Sequence, residues 1–581
     1  MTAPRWRIVA RSDGHVSVVD LDEQLADIAT ARLSGADWPA FVAAAPPGIR
    51  WVWNDTTEWY PELLGAGCTV ERSHDLRLSH AILAASAGVN DAAAPRDDAA
   101  RAAWGMPAAE ARTETRTEAT PVAATLFELD DAAPTPTGVP GDPEAVRAEF
   151  VRQHAALTTA SDPARLRLLV AAESAGALLA AELHAAGVPW STAVHEELLE
   201  QALGARPAPG GAPERVQQLA AVVREALGDP AASLDSQPKL LRSLHRVGVL
   251  ATSTSRWELA EYDHPVIEPL LQYKKLTRLA SANGWAWLDE WARGGRFRPV
   301  YVPGGVVTGR WASSGGGALQ LPRQLRPAVR ADPGWCLVVA DVAQLEPRVL
   351  AAMSADTALA QAARGRDLYD GIVASGTVAT RQEAKIAMLG AMYGATTGDS
   401  GRLVPALRRA YPRAMGLVDA AARTGEEGGL VSTWLGRTSP SASAGWRAVQ
   451  DRASAPDATE ADRTRARRSA RDRGRFTRNF VVQGTAAEWA LAWLADLRGA
   501  LSGFEPVPVA DAAEASGPIF SRRPHLCFFL HDEIIVHTPE AHADRVAALV
   551  RGSAERAARL LFGGFPIDFP LDLRITQDAA K

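Results

Sequence analysis

Arg381, Lys385, Leu389 and Tyr393 recur at intervals of four in Arg381-Gln-Glu-Ala-Lys385-Ile-Ala-Met-Leu389-Gly-Ala-Met-Tyr393-Gly394. A four-residue step keeps all of these side chains on one broad face of a helix. Two cations and a ring on such a face suit a triphosphate and a base, because guanidinium and ammonium groups neutralise phosphate oxygens while a ring covers a base. Lys385 sharpens the signal: the chain's only lysines are Lys239, Lys274, Lys275, Lys385 and Lys581, its other basic residues being arginine. Taken alone, the stripe reads equally well as a basic helix face in solvent.

Acids decide between the two. Trp335-Cys-Leu-Val-Val-Ala-Asp341 is an apolar run ending on a carboxylate, as a buried strand would if it delivered an acid to its exposed end. Pro347 fits the first position of a helix, so Asp341-Val-Ala-Gln344-Leu-Glu346 reads as a strand-to-helix turn carrying two acids and an amide. Near the C-terminus, Leu526-Cys-Phe-Phe-Leu-His531-Asp532-Glu533-Ile-Ile-Val-His537 reads as a hairpin with His531, Asp532 and Glu533 at its tip. Each acid by itself is an ordinary cap or turn residue. Two acid-bearing strand ends facing a cationic helix suit metal-assisted phosphoryl transfer, in which paired carboxylates hold two divalent ions about 4 Å apart. All-oxygen ligands favour Mg²⁺, completed by substrate phosphates.

The rest of the chain must position these groups. Its 581 residues imply three or four domains. Hydrophobic content of 47% and charged content of 22% are those of a globular protein, and no uncharged apolar run of eighteen residues is present, so no membrane partner is expected. The amino terminus lacks an apolar signal core, which points to the cytoplasm. Cys68, Cys336 and Cys527 form no CxxC pair and support neither disulfides nor a zinc site. A net charge of −6 argues against nucleic acid only as a sum, because eight arginines crowd into Arg463 to Arg478 while residues 89 to 145 are acidic and rich in Ala, Pro and Thr. That arginine run is either a solvated face or a phosphate-tracking surface. Heavy Ala and Arg use suggests a GC-rich bacterial genome. Strands are predicted over Trp6 to Ala10, His15 to Val19 and Ile49 to Trp53, with a helix around Leu21 to Leu33; residues 89–142 read as a flexible linker, and Pro143 to Leu203 and Pro213 to Leu227 as helical.

Asp341-Val-Ala-Gln-Leu-Glu-Pro-Arg348, the Arg381 to Gly394 helix and His531-Asp532-Glu533 resemble motifs A, B and C of the family A DNA polymerases, the polymerase I type, in the family's order. Thr308-Gly309-Arg310 with Gln320, and Arg475, Asn479, Gln483 and Gly484, match further stretches, so the resemblance covers roughly residues 170 to 581. It implies an α/β multidomain, Klenow-like fold: palm from 301–364 and 484–581, fingers from 365–483, a helical region with the thumb in 143–300, and an RNase H-like, exonuclease-type α/β domain in 1–88. It implies a monomer acting on primer-template DNA and dNTPs with two Mg²⁺ ions. On the matching positions, Asp341 and Asp532 are the metal ligands. Arg381 and Lys385 neutralise phosphates, Glu346 blocks a ribose 2′-hydroxyl, and Tyr393 stacks at the insertion site. Arg310 and Gln483 read minor-groove acceptors common to all base pairs. His531, Glu533, Gln344, Arg348, Arg475 and Asn479, with Gln320, line the primer, template and metal site.

The amino-terminal resemblance is thinner. Trp53-Asn-Asp-Thr-Thr-Glu58 and Ser73-His-Asp75 resemble two exonuclease stretches, with Glu58 where that domain has a metal-binding aspartate, but the first-strand Asp-x-Glu and the last motif have no counterpart, and no 5′ nuclease domain is expected. A two-metal nuclease without these acids cannot hold its ions, so the domain is expected to be inactive. The alternatives are residual proofreading, a single-subunit RNA polymerase, a polymerase-shaped scaffold without chemistry, and a repair nuclease. Glu346 disfavours the second, the retained aspartates the third, and the missing exonuclease acids the last. Val342 and Ala343 replace the family's Tyr-Ser in motif A, and Leu389 stands where the family usually has an aromatic residue against the nucleotide's sugar, giving less stacking area. Leu389→Phe is therefore expected to change the ratio of dideoxy to deoxy incorporation in a primer-extension competition; an unchanged ratio contradicts this.

Overall fold

A computed structural model describes residues 4–89, 139, 141–208, 210–317, 321–394 and 398–580. Gln320 and nearly all of the acidic 89–142 segment lie outside the described residues. The amino-terminal sheet has Trp6–Ser12, His15–Leu21 and Asp27–Ser34 as an antiparallel meander, with Arg50–Trp53 and Arg72–Asp75 added parallel to the first strand. The expected helix over Leu21 to Leu33 is absent, since Asp27–Ser34 is an edge strand. Its apolar spacing imitates a helix, but Asp22 Oδ1 accepts from the backbone N–H of Gln24 and Ala26, and Leu25 takes a left-handed φ of 64°, so the chain turns back as a hairpin.

The helix Pro163–Ala186, started by Asp162 and Pro163, is buried along most of its length between this sheet and the rest of the molecule. One charged knot fastens the lobes. Arg498, on the long helix Glu460–Ser502, donates to Glu182 at 2.7 Å and to the carbonyls of Val70 and Glu71, while the Tyr60 hydroxyl donates to the same carboxylate. The amino-terminal core thus runs on into the second lobe without a break: Ile8, Phe150, Leu183, Trp493 and Val536 belong to one buried cluster.

That second lobe centres on a four-stranded antiparallel sheet in the order His525–Leu530, Glu533–Pro539, Trp335–Val342, Leu571–Thr576. Its two middle strands are apolar and almost wholly buried, as their β-branched and aromatic content dictates. A separate core gathers Leu368, Ile372, Met388, Met392, Leu407 and Met415 from the helices Leu368–Ala374, Arg381–Tyr393, Gly398–Ala410 and Pro412–Glu426 against Val481 and Val482 of the long helix. The long helix opens with a capping box, Thr459 and Asp462. Its arginine-rich first half is largely exposed and its second half buried, so the expected palm–fingers boundary at 483/484 falls inside one continuous helix. Thr192–Leu203, Glu214–Ala226, Gln237–Arg246 and Ile267–Asn283 form the helical region between the lobes in sequence. Among the described residues no helix is long and apolar enough to cross a membrane.

The long helix is also bolted to the turn at 433–437. Glu488, fully buried, accepts from the Thr433 hydroxyl and from the Leu435 N–H at 2.9 Å, and burial pushes its carboxyl from the usual 4.5 up to about 7. A carboxyl whose folded pKa is raised contributes stability that is complete below 4.5 and is lost as pH rises through 7. Glu488→Gln mimics the protonated form. It is expected to melt close to the unmodified chain near pH 5 and above it near pH 8, by on the order of 1–3 kcal/mol. Thermal melts across this range check the sign, and a difference independent of pH contradicts it.

Candidate active site

Two strand ends meet at one edge of the central sheet. Asp341 lies directly opposite Glu533 in the ladder, and the Val342 N–H donates to the Asp532 carbonyl at 3.0 Å, which puts Asp341 and Asp532 side by side. Both strands turn away here through left-handed residues, Gln344 at φ 49° and His531 at φ 57°. Such φ values are uncommon outside glycine; at Gln344 the chain leaves the sheet for the helix Leu345–Met353, and at His531 it reverses in the hairpin tip that carries Asp532. Burial, then the charge of Asp341, raises the Asp532 carboxyl from 3.8 to about 6, with Arg310 opposing. Two acids crowded in this way repel each other and favour a bound cation between them. Among the described residues no group of three or more His, Cys, Asp or Glu is gathered as a metal cage. An acid pair completed by substrate phosphates is how Mg²⁺ is commonly held, so the donor set fits that ion.

Glu533, the third acid of the tip, is buried and takes a bidentate pair from Arg326 of the segment Arg323–Ala328. Its carboxylate is committed to that anchor. Above the aspartates, Glu346 accepts from both Arg310 and the Tyr393 hydroxyl, so three expected site residues meet at one carboxylate. Burial, then the Glu346 charge, holds the Tyr393 phenol well above its usual range and keeps it a donor. The helix Arg381–Tyr393 begins with a Thr380–Glu383 capping box and ends on Gly394 at φ 74°. It buries Ala384, Ala387, Met388, Ala391 and Met392, and leaves Arg381 and Lys385 exposed and Leu389 and Tyr393 half-buried. Arg381 pairs with Asp367 at 2.7 Å, and Gln344 donates to the same carboxylate at 2.9 Å.

Arg475, Asn479 and Gln483 follow at four-residue steps on the long helix, and the Thr308 hydroxyl donates to the Gln483 side-chain carbonyl at 2.8 Å. Arg475 is exposed beside Gly394, Asn479 is buried, and His531 is exposed at its tip. Arg348, expected along the DNA, is fully buried. Its five N–H groups meet the carbonyls of Ala343, Ala363, Arg366 and Asp568 and the side chains of Asp568 and Gln344, so it fixes the motif A turn and presents no donor to a groove. Sequence reasoning missed Asp367 and Arg326. Asp367 had a local signal, since it caps the helix Leu368–Ala374. Arg326 had none.

If Glu533 serves as an anchor, Arg326→Met strands a buried carboxylate and costs about 3–5 kcal/mol, while Arg326→Met with Glu533→Leu recovers most of the loss. Denaturant unfolding of the two variants checks this, and equal destabilisation in both contradicts it.

Comparison with known proteins agrees with this geometry. A profile of DNA polymerase family A matches residues 214–577, more than half of the chain. DNA polymerase I of Chloroflexus aurantiacus is 30% identical over 363 residues, covering 58% of this chain and 34% of the relative. The thermostable DNA polymerase I of Thermus thermophilus is 27% identical over 393 residues, covering 62% and 40%. The chain thus spans about two fifths or less of the length of these relatives. In fold it resembles the POL domain of Pol1 from M. smegmatis, solved in complex with DNA primer-template and dNTP, at a TM-score of 0.63 and 17% identity, covering 99% of this chain and 95% of that one. Members of the matched family generally depend on metal ions. With its three motifs assembled around one edge of the central sheet, the chain belongs to DNA polymerase family A.

Proposed function

We propose that this chain is a DNA-templated DNA polymerase that adds deoxynucleotides to a primer 3′-hydroxyl in replication or repair. The observation that carries the reading is the adjacency of Asp341 and Asp532, at a sheet edge overlooked by Glu346, Arg310 and Tyr393 and by the exposed cations of the helix Arg381–Tyr393. Asp341 and Asp532 would hold two Mg²⁺ ions, whose chemistry when bound would be to activate the primer hydroxyl and offset charge on the triphosphate. Arg381 and Lys385 receive the phosphates; Arg381 exchanges its pair with Asp367 for a phosphate oxygen, and charge developing on the leaving pyrophosphate meets fixed cations. Glu346, clamped from two sides, keeps its carboxylate where a ribose 2′-hydroxyl would stand, which favours deoxynucleotides and disfavours the RNA polymerase reading. Tyr393 and Leu389 face the base and sugar of the incoming nucleotide, while Arg310 and Gln483 inspect the minor groove. Gln344, Asn479, Arg475 and His531 border the strands; Arg348 and Glu533 serve from behind by fixing motifs A and C.

The amino-terminal domain is read as a platform that has lost its 3′–5′ exonuclease. Its carboxylates are engaged in structure: Asp55 pairs with Arg77 at 2.6 Å, and buried Asp75 accepts from the N–H of Thr56 and Leu78. Glu58 accepts from the Asn54 amide at 2.7 Å, and that amide also reaches the Val139 carbonyl. Arg498 keeps the platform fused to the catalytic lobe.

One assay tests the whole reading: extension of a primed DNA template with Mg²⁺, using dNTPs or NTPs and paired or mismatched 3′ ends. Extension with dNTPs, abolished by Asp532→Ala with DNA binding retained, and no trimming of the mismatched end is the expected result. Preferential NTP use contradicts the DNA polymerase assignment and favours the RNA polymerase reading. Mg²⁺-dependent 3′ degradation abolished by Glu58→Ala contradicts loss of the exonuclease.

A further inference from the structure

Arg437 lies outside the three motifs and touches neither aspartate, yet its surroundings are built with unusual economy of space. Its backbone closes a tight turn in which the Thr433 N–H donates to the Arg437 carbonyl and the Arg437 N–H donates to the Thr433 hydroxyl oxygen, both at 2.9 Å. That turn is fixed to the long helix by Glu488, as described above, and by the Trp434 N–H donating to the Thr485 hydroxyl oxygen at 3.0 Å. The guanidinium then crosses to Glu173 on the helix Pro163–Ala186, donating at 2.6 Å to a carboxylate that is 1% exposed. The other carboxylate oxygen of Glu173 and the Arg437 Nε have no hydrogen-bond partner among the described residues.

Both of these atoms lie against glycines of one loop. A Cβ on Gly304 would stand 2.6 Å from Glu173 Oε1, and a Cβ on Gly309 would stand 2.5 Å from Arg437 Nε. These glycines have φ of 62° and 86°, so conformation and space both exclude a side chain. The Glu173–Arg437 pair is therefore the wall against which residues 304–309 are shaped. Gly309 sits between Thr308, whose hydroxyl holds Gln483, and Arg310, which holds Glu346. Gly484 completes the contact: a Cβ there would meet Thr433 Cγ2 at 2.4 Å and the Thr308 carbonyl at 3.0 Å.

We infer that Arg437, held by Glu173, is a positioning residue that sets the Thr308–Arg310 turn and, through it, the two groups that inspect the minor groove, Arg310 and Gln483. The inference rests on the polymerase reading and deepens it: recognition of a correctly paired primer end depends on a buried pair remote from the DNA. Removing the guanidinium lets the turn relax, so Arg310 and Gln483 no longer meet the acceptors of a correct pair in register, and correct and mismatched ends become more alike.

The experiment measures kcat and KM for dNTP on matched and mismatched primers in the full chain. The variants are Arg437→Met, Arg437→Lys and the near-isosteric Glu173→Gln, each alone and combined with Arg310→Ala, with thermal melts of all. The expected result is that Arg437→Met lowers kcat on the matched primer and narrows the matched-to-mismatched ratio of kcat/KM by roughly ten-fold, with little change in KM. Glu173→Gln does the same more weakly, Arg437→Lys recovers part of the ratio, and the effect of each on that ratio shrinks once Arg310 is alanine, leaving only the share carried by Gln483. A merely structural role predicts equal losses on both primers, tracking the melting temperature and adding to the Arg310→Ala loss; that outcome overturns the inference. Should Arg437→Met not fold, Glu173→Gln alone decides by the same ratio. Absence of extension by the unmodified chain overturns the polymerase reading and this inference together, whereas robust extension with additive effects overturns this inference alone.

Discussion

The register that sets Asp341 opposite Glu533 is the constraint on which the rest of the structure depends. In an antiparallel ladder a slip of one residue carries every side chain to the opposite face, so the pairing of Trp335–Val342 with Glu533–Pro539 decides whether two aspartates face each other or face away. The side chains of those strands hold the register by close packing on both faces of the sheet, where the consecutive Val338 and Val339, and Ile534 and Ile535, are all buried. The chemistry at the edge is thus secured by packing in the middle of the sheet. The left-handed Gln344 then leads the chain off the sheet, and the left-handed His531 reverses it in the hairpin tip that carries Asp532.

Around that edge the molecule uses buried arginine–carboxylate pairs as rivets. Arg326 holds Glu533 behind motif C, Arg498 ties the amino-terminal domain to the long helix through Glu182, and Arg437 meets Glu173 beside the Thr308–Arg310 turn, while the buried Arg348 behind motif A reaches out to an exposed Asp568. Buried pairs of this kind contribute little net stability against an apolar alternative but are costly to break on one side, so they specify geometry more than they strengthen the fold. An arginine-rich, lysine-poor chain is suited to this, since the planar guanidinium serves several acceptors at once. Lys385, one of very few lysines, stays exposed on the face turned to the site.

What was legible in the sequence was local. The acid-terminated apolar runs, the hairpin tip and the four-residue stripe each declare themselves within a short local stretch, and the structure has the strands, the hairpin and the helix with that face outward. The edge strand Asp27–Ser34 was misread because its spacing is helical and only the Asp22 turn betrays the reversal. Side-chain duties were harder to read still. Arg348 resembles a DNA contact by its place in motif A, but its acceptors at Asp568 lie 220 residues away, and Glu533 meets an arginine 207 residues earlier. No periodicity or turn signal encodes such partners; they exist only once the sheet has closed.

The central claim is that Asp341 and Asp532 form one cation site completed by substrate. Titration of the full chain with Mn²⁺, followed by electron paramagnetic resonance in the presence of primer-template DNA and a non-hydrolysable dNTP, tests it most directly. The account predicts two bound ions per chain, with binding lost or sharply weakened in both Asp341→Ala and Asp532→Ala while DNA affinity is retained. Two ions bound equally well without either aspartate would contradict it.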